Sequence, residues 1–248
     1  MRVLFVHGAC VVDGAWWWHR MTAPLAGLGL ATEAVELPSC GPSGDDEPLG
    51  DLDADVAAVR RAAGGSTQPT VLVGHSYGGM VITGAAAGLE NVRHLVYVAS
   101  MLPDEGESLA ALADPDGTNW LEPEDESART VRLRTDLSED DFRAHFLDDC
   151  DEPAAAGAPA RVGRQSAAVF GQPSRDAGWR RVASTAVVCA RDRATRPEQQ
   201  RRWAARAGTV VELDSGHHPF LSRPGELAEI IARLQPRTST VSPSFRKL

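Results

Sequence analysis

Gly74-His75-Ser76-Tyr77-Gly78 stands between an apolar run, TVLV (70–73), and a helix-forming run, MVITGAAAGL (80–89). A strand that turns sharply into a helix leaves almost no room at the turn. The pattern G-x-S-x-G places glycine on either side of a serine there, where side chains would collide. The serine is then expected in a strained backbone conformation. Its hydroxyl sits at a helix N-terminus, where backbone N–H groups favour developing negative charge. A glycine-rich turn with an incidental serine is the bland alternative, and it leaves the register of strand, motif and helix unexplained.

The rest of the chain repeats the strand–helix rhythm. Runs rich in Val and Leu occur at 2–6, 32–37, 70–73, 94–98, 186–190 and 209–213. Most are apolar on both faces, as parallel strands covered by helices must be. Helices are expected at about 16–28, 52–63, 77–88, 197–207 and 225–234. Asp51 and Asp53 bracket the start of the second, and Pro197 suits the first turn of the fourth. The fold class is α/β, with a mostly parallel six-stranded sheet flanked by helices. The rhythm breaks once, for almost ninety residues between 98 and 186 without a clear strand. That is too long for a loop inside a compact domain. Helices near 138–147 and 160–170 make it a helical cap inserted after the fourth strand. The expected division is a core of 1–102 and 180–235, a cap of 103–179 and a flexible tail of 236–248.

A serine is a poor nucleophile without a base. Of seven histidines, His7 and His75 belong to turns, and His19, His94 and His145 sit in helix- or strand-like surroundings. His217 lies in DSGHHPF, at the carboxyl end of the last strand, where such sheets assemble sites. Its neighbour His218 leaves the choice between the two open. The base needs a carboxylate to fix its tautomer. Asp192 follows the strand at 186–190, and Asp104, after 94–98, is the runner-up. Asp214 is too close to His217 in the chain and reads as a turn-shaping residue. Two backbone donors would hold an oxyanion: Tyr77, directly after the serine, and Ala9, in the loop His7-Gly8-Ala9-Cys10 after the first strand.

Composition narrows the partners. The chain has 248 residues and a net charge of −9, which argues against a nucleic-acid partner. No window approaches the roughly 18 apolar residues of a membrane span. The opening MRVLFVHG reads as a strand rather than a signal peptide, so a cytoplasmic location is expected. Cys10, Cys40, Cys150 and Cys189 show no CxxC spacing and are expected to be reduced. Residues 103–152 carry 17 acidic and only 4 basic residues, the rest of the chain being net positive. A solvated face is the bland reading of that run; a lid that repels anions is the functional one.

These residues resemble the α/β-hydrolase superfamily, and within it the hydroxynitrile lyase and plant-type methylesterase group with its bacterial relatives. The likeness rests on VHGAC followed by GAWWW, GHSYGG, VYVASMLPDEG, WRRVASTAVVCARDRATRPEQQ and SGHHPFLSRPGEL. It covers most of the chain outside the cap. It implies Ser76 as nucleophile, Asp192 as acid, His217 as base, and Ala9 and Tyr77 as oxyanion donors. It favours His217 over His218, because the family's base precedes a short x-P-[FM] segment, here His218-Pro219-Phe220. Two positions depart from the lyases. Gly8 replaces a threonine, and His218 replaces a lysine that would stand near the leaving group.

The expected reaction is hydrolysis of a small-molecule carboxylic ester, of methyl ester or lactone type, through an acyl-enzyme on Ser76, with no metal and no cofactor. The substrate is expected to be neutral or cationic with an apolar portion, and a homodimer is left open. Trp120, Phe142, Phe146 and Phe170 read first as cap core and second as substrate contacts. Three rivals share the residues: a lyase or cyclase that uses the triad for proton transfer, a ligand-binding protein on the same fold, and a haloperoxidase- or epoxide-type member. The epoxide route needs a carboxylate nucleophile, which Ser76 excludes.

Overall fold

The computed structural model describes residues 1–45, 47–114, 117–124 and 129–234. Ten strands lie among them: β1 (Arg2–Val6), β2 (Ala31–Val35), β3 (Cys40–Gly41), β4 (Thr70–His75), β5 (Val92–Val98), β6 (Leu121–Pro123), β7 (Thr130–Leu133), β8 (Arg164–Ser166), β9 (Ala183–Cys189) and β10 (Thr209–Leu213). Six form one sheet in the order β10-β9-β5-β4-β1-β2, every pair parallel. Each of the six coincides or overlaps with one of the apolar runs of the sequence. β4 is buried along its whole length, because helices cover both faces of the sheet at its centre. Val3, Phe5, Val71, Val73, Val96 and Val98 point into one apolar layer; Leu4, Val6, Leu72, Leu95 and Tyr97 point into the other. That alternation is the period of two that a strand imposes.

The flanking helices follow their signals. In Leu52–Gly64, the Asp51 side chain accepts from the Ala54 N–H, and Leu52, Asp55, Val59 and Ala63 form the buried stripe. Pro197 and Pro224 open Pro197–Ala204 and Pro224–Ala232. The first expected helix is two pieces, Gly14–Trp17 and His19–Gly27, with Trp18 between them. Trp18 stacks on Phe5 at 4.3 Å and packs against Phe220 at 4.1 Å.

The segment between β5 and β9 differs from the helical, strand-free reading. It holds helices Leu109–Leu112, Glu139–Phe146 and Glu152–Gly157, but also three strands. The helix expected near 160–170 is a 3₁₀ turn (Pro159–Arg161), β8 and a short helix (Ala168–Gly171). β6, β7 and β8 join β3 in an antiparallel sheet of order β3-β8-β7-β6. The cause is length and polarity. LEP, TVRL and RQS are too short and too charged to carry an apolar alternation, and they pair with one another away from the main sheet. The tail from 235 onward lies outside the described residues. Among the described residues no helix is long and apolar enough to cross a membrane.

Candidate active site

Parallel strands bring their carboxyl ends to one edge of the sheet, and the loops that follow β1, β4, β9 and β10 meet there. Ser76 follows β4 with φ 51°, in the left-handed region. The two flanking glycines are sterically required. A Cβ on Gly74 would stand 2.6 Å from the Gly78 carbonyl oxygen, and one on Gly78 would stand 2.6 Å from that of Val6. The Ser76 N–H donates to Val98 O at 3.1 Å, and Ser100 Oγ donates to Ser76 O at 2.5 Å. The strained turn is thus held from β5 as well.

Ser76 and His217 line one cavity of about 660 Å³. His217 is buried, and its Nδ1–H donates to Asp192 Oδ2 at 2.7 Å. With that proton on Nδ1, Nε2 keeps the lone pair. Asp192 is itself fixed on every side. Its Oδ1 accepts from the Ala194 and Thr195 N–H groups, both at 2.8 Å, and its Oδ2 also accepts from Gln200 Nε2 at 2.7 Å. Gln200 in turn accepts from the Cys189 N–H at 2.9 Å, which ties the carboxylate to the end of β9. The alternative acids lie elsewhere. Asp104 pairs with Arg180, and the exposed Asp214 pairs with Arg191 at 2.7 Å.

His218 points away from that carboxylate. Its Nδ1–H donates to Phe146 O at 2.8 Å, and its ring lies 4.8 Å from that of Trp17. Burial, reinforced by the neighbouring His217, pushes its imidazole well below the usual histidine range. His75 is also held well below that range, first by burial and then by His217 and His218, while its Nε2–H donates to His217 O at 3.0 Å. The ring nitrogens of His75, His217 and His218 lie within 4.8 Å of one another, the sole potential metal-binding group among the described residues. One nitrogen of each ring is already committed to a carbonyl or carboxylate.

Ala9 and Tyr77 both line the cavity. Among the described residues neither N–H has an acceptor within the protein. Gly8 lets the first loop approach the serine: a Cβ there would stand 3.0 Å from His75 Nδ1 and 3.3 Å from Ser76 Cβ. Trp120, Phe142, Phe146 and Phe170 all face the cavity, together with Trp17 and Met101. Trp120 Nε1–H donates to Ala194 O at 2.9 Å, linking the inserted segment to the loop that carries Asp192. All four cysteines are free.

Sequence reasoning missed Gln200, and it missed Asp55, whose carboxylate accepts from Tyr77 OH at 2.6 Å. A signal for Asp55 was present. It falls three residues after Leu52 and four before Val59, on the apolar stripe of its helix, where an unpartnered carboxylate would be costly.

The chain matches the alpha/beta hydrolase family over residues 3–230. It is 30% identical over 213 residues to the alpha/beta hydrolase nvfD of Aspergillus novofumigatus, covering 80% of this chain and 82% of that protein. It is 23% identical over 252 aligned residues to Methylesterase 1 of Arabidopsis thaliana, covering 93% and 94%. Among solved structures, the pyrethroid hydrolase from Sphingobium faniae JZ-2 superposes with a TM-score of 0.81 at 22% identity, over 94% of this chain and 96% of that one. Polyneuridine aldehyde esterase superposes with a TM-score of 0.77 at 19% identity, over 94% and 98%. At these identities the structural likeness is one of fold.

Proposed function

Because this chain belongs to the alpha/beta hydrolase family, we propose that it hydrolyses small carboxylic esters through an acyl-enzyme on Ser76. Methylesterase and esterase relatives make ester hydrolysis its reaction class. One observation carries the reading furthest. A serine in a left-handed turn shares a cavity with a buried histidine whose Nδ1 is bonded to a fully satisfied carboxylate.

In this reading His217 Nε2 takes the Ser76 proton as Oγ attacks the ester carbonyl. The Ala9 and Tyr77 N–H groups hold the oxyanion. The imidazolium then protonates the leaving alcohol as the C–O bond breaks. Water, deprotonated by the same nitrogen, attacks the acyl-enzyme; the acyl C–Oγ bond breaks, the imidazolium returns its proton to Ser76 Oγ, and the acid leaves. Asp192 holds the tautomer and stabilises the imidazolium.

His218 favours hydrolysis over cyanohydrin cleavage. It occupies the position of the lyase lysine, is kept neutral by burial, and gives its Nδ1 proton to Phe146 O. His218 therefore supplies no cation at that position to receive a departing cyanide. Residues 103–179 act as a cap over the cleft, and the cavity's aromatic lining suits an apolar acyl portion on a neutral or cationic ester. The four free cysteines suit a reducing cytoplasm.

A fluorophosphonate probe and a p-nitrophenyl ester test the reading together. Labelling should map to Ser76, and Ser76→Ala should lose on the order of 10⁴- to 10⁶-fold in rate with its circular dichroism unchanged. Retained turnover in the alanine variant would move the nucleophile elsewhere.

A further inference from the structure

We propose that Gln165 and Asp55 are positioning residues for the oxyanion hole, joined in one buried hydrogen-bond chain that links its two halves; this rests on the hydrolase reading of Ser76.

The chain begins at Tyr77, whose N–H is one proposed donor. Its phenol donates to Asp55 Oδ2 at 2.6 Å. The same oxygen accepts from Ser39 Oγ at 2.5 Å, and Asp55 Oδ1 accepts from the Ser39 N–H at 2.8 Å. Ser39 has given its one hydroxyl proton to Asp55, so its Oγ accepts from Gln165 Nε2 at 3.1 Å. The orientation of the Gln165 amide follows, and its Oε1 accepts from the Cys10 N–H at 3.2 Å. Cys10 is the residue after Ala9, the other proposed donor. Asp55, Ser39 and Gln165 are each 0% exposed, so bulk solvent does not reach these bonds.

The second half of the hole needs such a hold. Cys10 has φ 56°, a conformation that a non-glycine residue keeps only when its surroundings impose it. Those surroundings come from the inserted segment. Gln165 takes the Cys10 N–H, the Gly163 N–H donates to Cys10 O at 2.7 Å, and Val12 N–H donates to Arg161 O at 3.0 Å. None of Asp55, Ser39 and Gln165 lines the cavity, so they act through Tyr77 and Cys10 rather than on substrate. A purely structural role is the competing explanation. A buried carboxylate is a poor choice for stability alone, since an apolar group of similar volume is often as stabilising. Aiming two amides at one point needs directional bonds, and hydrogen bonds from a satisfied network provide them.

Gln165→Met removes both side-chain bonds at similar volume. Ser39→Ala cuts the chain in the middle, leaves the Gln165–Cys10 bond, and stands in if the first variant does not fold. Each is assayed against a p-nitrophenyl ester, and against an aryl trifluoromethyl ketone, which forms a tetrahedral adduct on a serine, below its own melting transition. Misplacing one donor should lower kcat roughly 10- to 100-fold for Gln165→Met, and less for Ser39→Ala, with KM within about twofold. The ketone's inhibition constant should rise by the same factor as kcat falls. A folded variant with kcat and ketone affinity within twofold of wild type overturns the proposal. So does a loss of kcat with ketone affinity unchanged, the signature of a structural defect away from the oxyanion. Fluorophosphonate labelling of the unmodified protein separates the two levels. Without labelling at Ser76 the hydrolase reading falls and this proposal with it; with labelling and inert variants, only the proposal falls.

Discussion

His217 Nδ1 and Asp192 Oδ2 lie 2.7 Å apart, both side chains almost sealed from solvent, and the carboxylate accepts three further N–H donors besides the histidine's. The imidazole therefore has one defined tautomer, with its lone pair on Nε2. Asp192→Asn would replace an acceptor by a donor at that contact and favour the other tautomer. Turnover should fall roughly 10⁴-fold. Asp104→Asn should cost little turnover, because its partner is Arg180 at the surface. Equal losses in steady-state assays of the two variants would move the acid role to Asp104 or divide it.

The adjacent histidines should separate cleanly. His217→Ala is expected to silence ester hydrolysis. His218→Ala should retain much of kcat, because its Nδ1 is bonded to Phe146 O and its ring packs on Trp17 and Phe220. Its loss would show mainly as a lower melting temperature and a changed KM. Activity surviving in the His217 variant and lost in the His218 variant would shift the base by one position.

Three buried histidines set the acid limit of stability. His7, His75 and His218 are held below their ordinary values by burial, His7 down to about 4. At His7 both nitrogens are in use: Nδ1–H donates to Gly8 O at 2.9 Å, and Nε2 accepts from the Leu37 N–H at 3.3 Å. A second proton would set donor against donor. Below pH about 6.5 the unfolded chain takes up protons that the folded chain refuses. Stability is full above that value and declines as pH falls toward 4, by on the order of 3 kcal/mol for His7 alone. Asp55, shifted upward by burial, works in the opposite direction and offsets part of the loss. The melting temperature should drop between pH 7.5 and 5; a flat or rising profile would contradict this account.

Much of the acidic charge in 103–152 is used in docking. Asp104, Glu107, Asp114, Asp148, Asp149 and Asp151 pair with Arg180, Arg206, Arg196, Arg193, Arg191 and Arg20, all outside that run. On the proposed reading, the surplus left over is what would steer substrate. An uncharged ester should still have a higher kcat/KM than an isostere bearing a second carboxylate, with the gap narrowing as salt screens it over about 8–10 Å. A ratio near one at both low and high ionic strength would remove the steering and leave the proposed roles of Ser76, Asp192 and His217 untouched.

The main sheet was legible because burial on both faces demands uninterrupted Val and Leu runs, as in TVLV and HLVYV. The proposed nucleophile was legible because the turn after β4 tolerates only glycine at 74 and 78, a steric fact written directly into the chain. The second sheet was not. β3 is two residues long, and β6 to β8 depend on partners far away in sequence, so no local periodicity announces them. Gln165 and Gln200 escaped for a related reason. An uncharged amide earns its place by a geometry that only the folded chain creates. Asp55 escaped too, although a carboxylate on an apolar helix stripe is a signal carried by the local sequence itself.

The pairing of β3 with β8 bears on any attempt to exchange specificity between relatives. A chimera made by swapping residues 103–179 alone would leave Cys40–Gly41 facing a foreign strand, and Ser39 without the Gln165 amide. Arg164, which donates to Pro42 O at 3.1 Å and Glu47 O at 2.8 Å, would lose its seat as well. The transplantable unit is therefore discontinuous. It includes the stretch from Ser39 to Glu47 that the chain lays down before β4 is made, and a graft that omits it imports a new pocket on an Ala9–Cys10 loop stripped of its support.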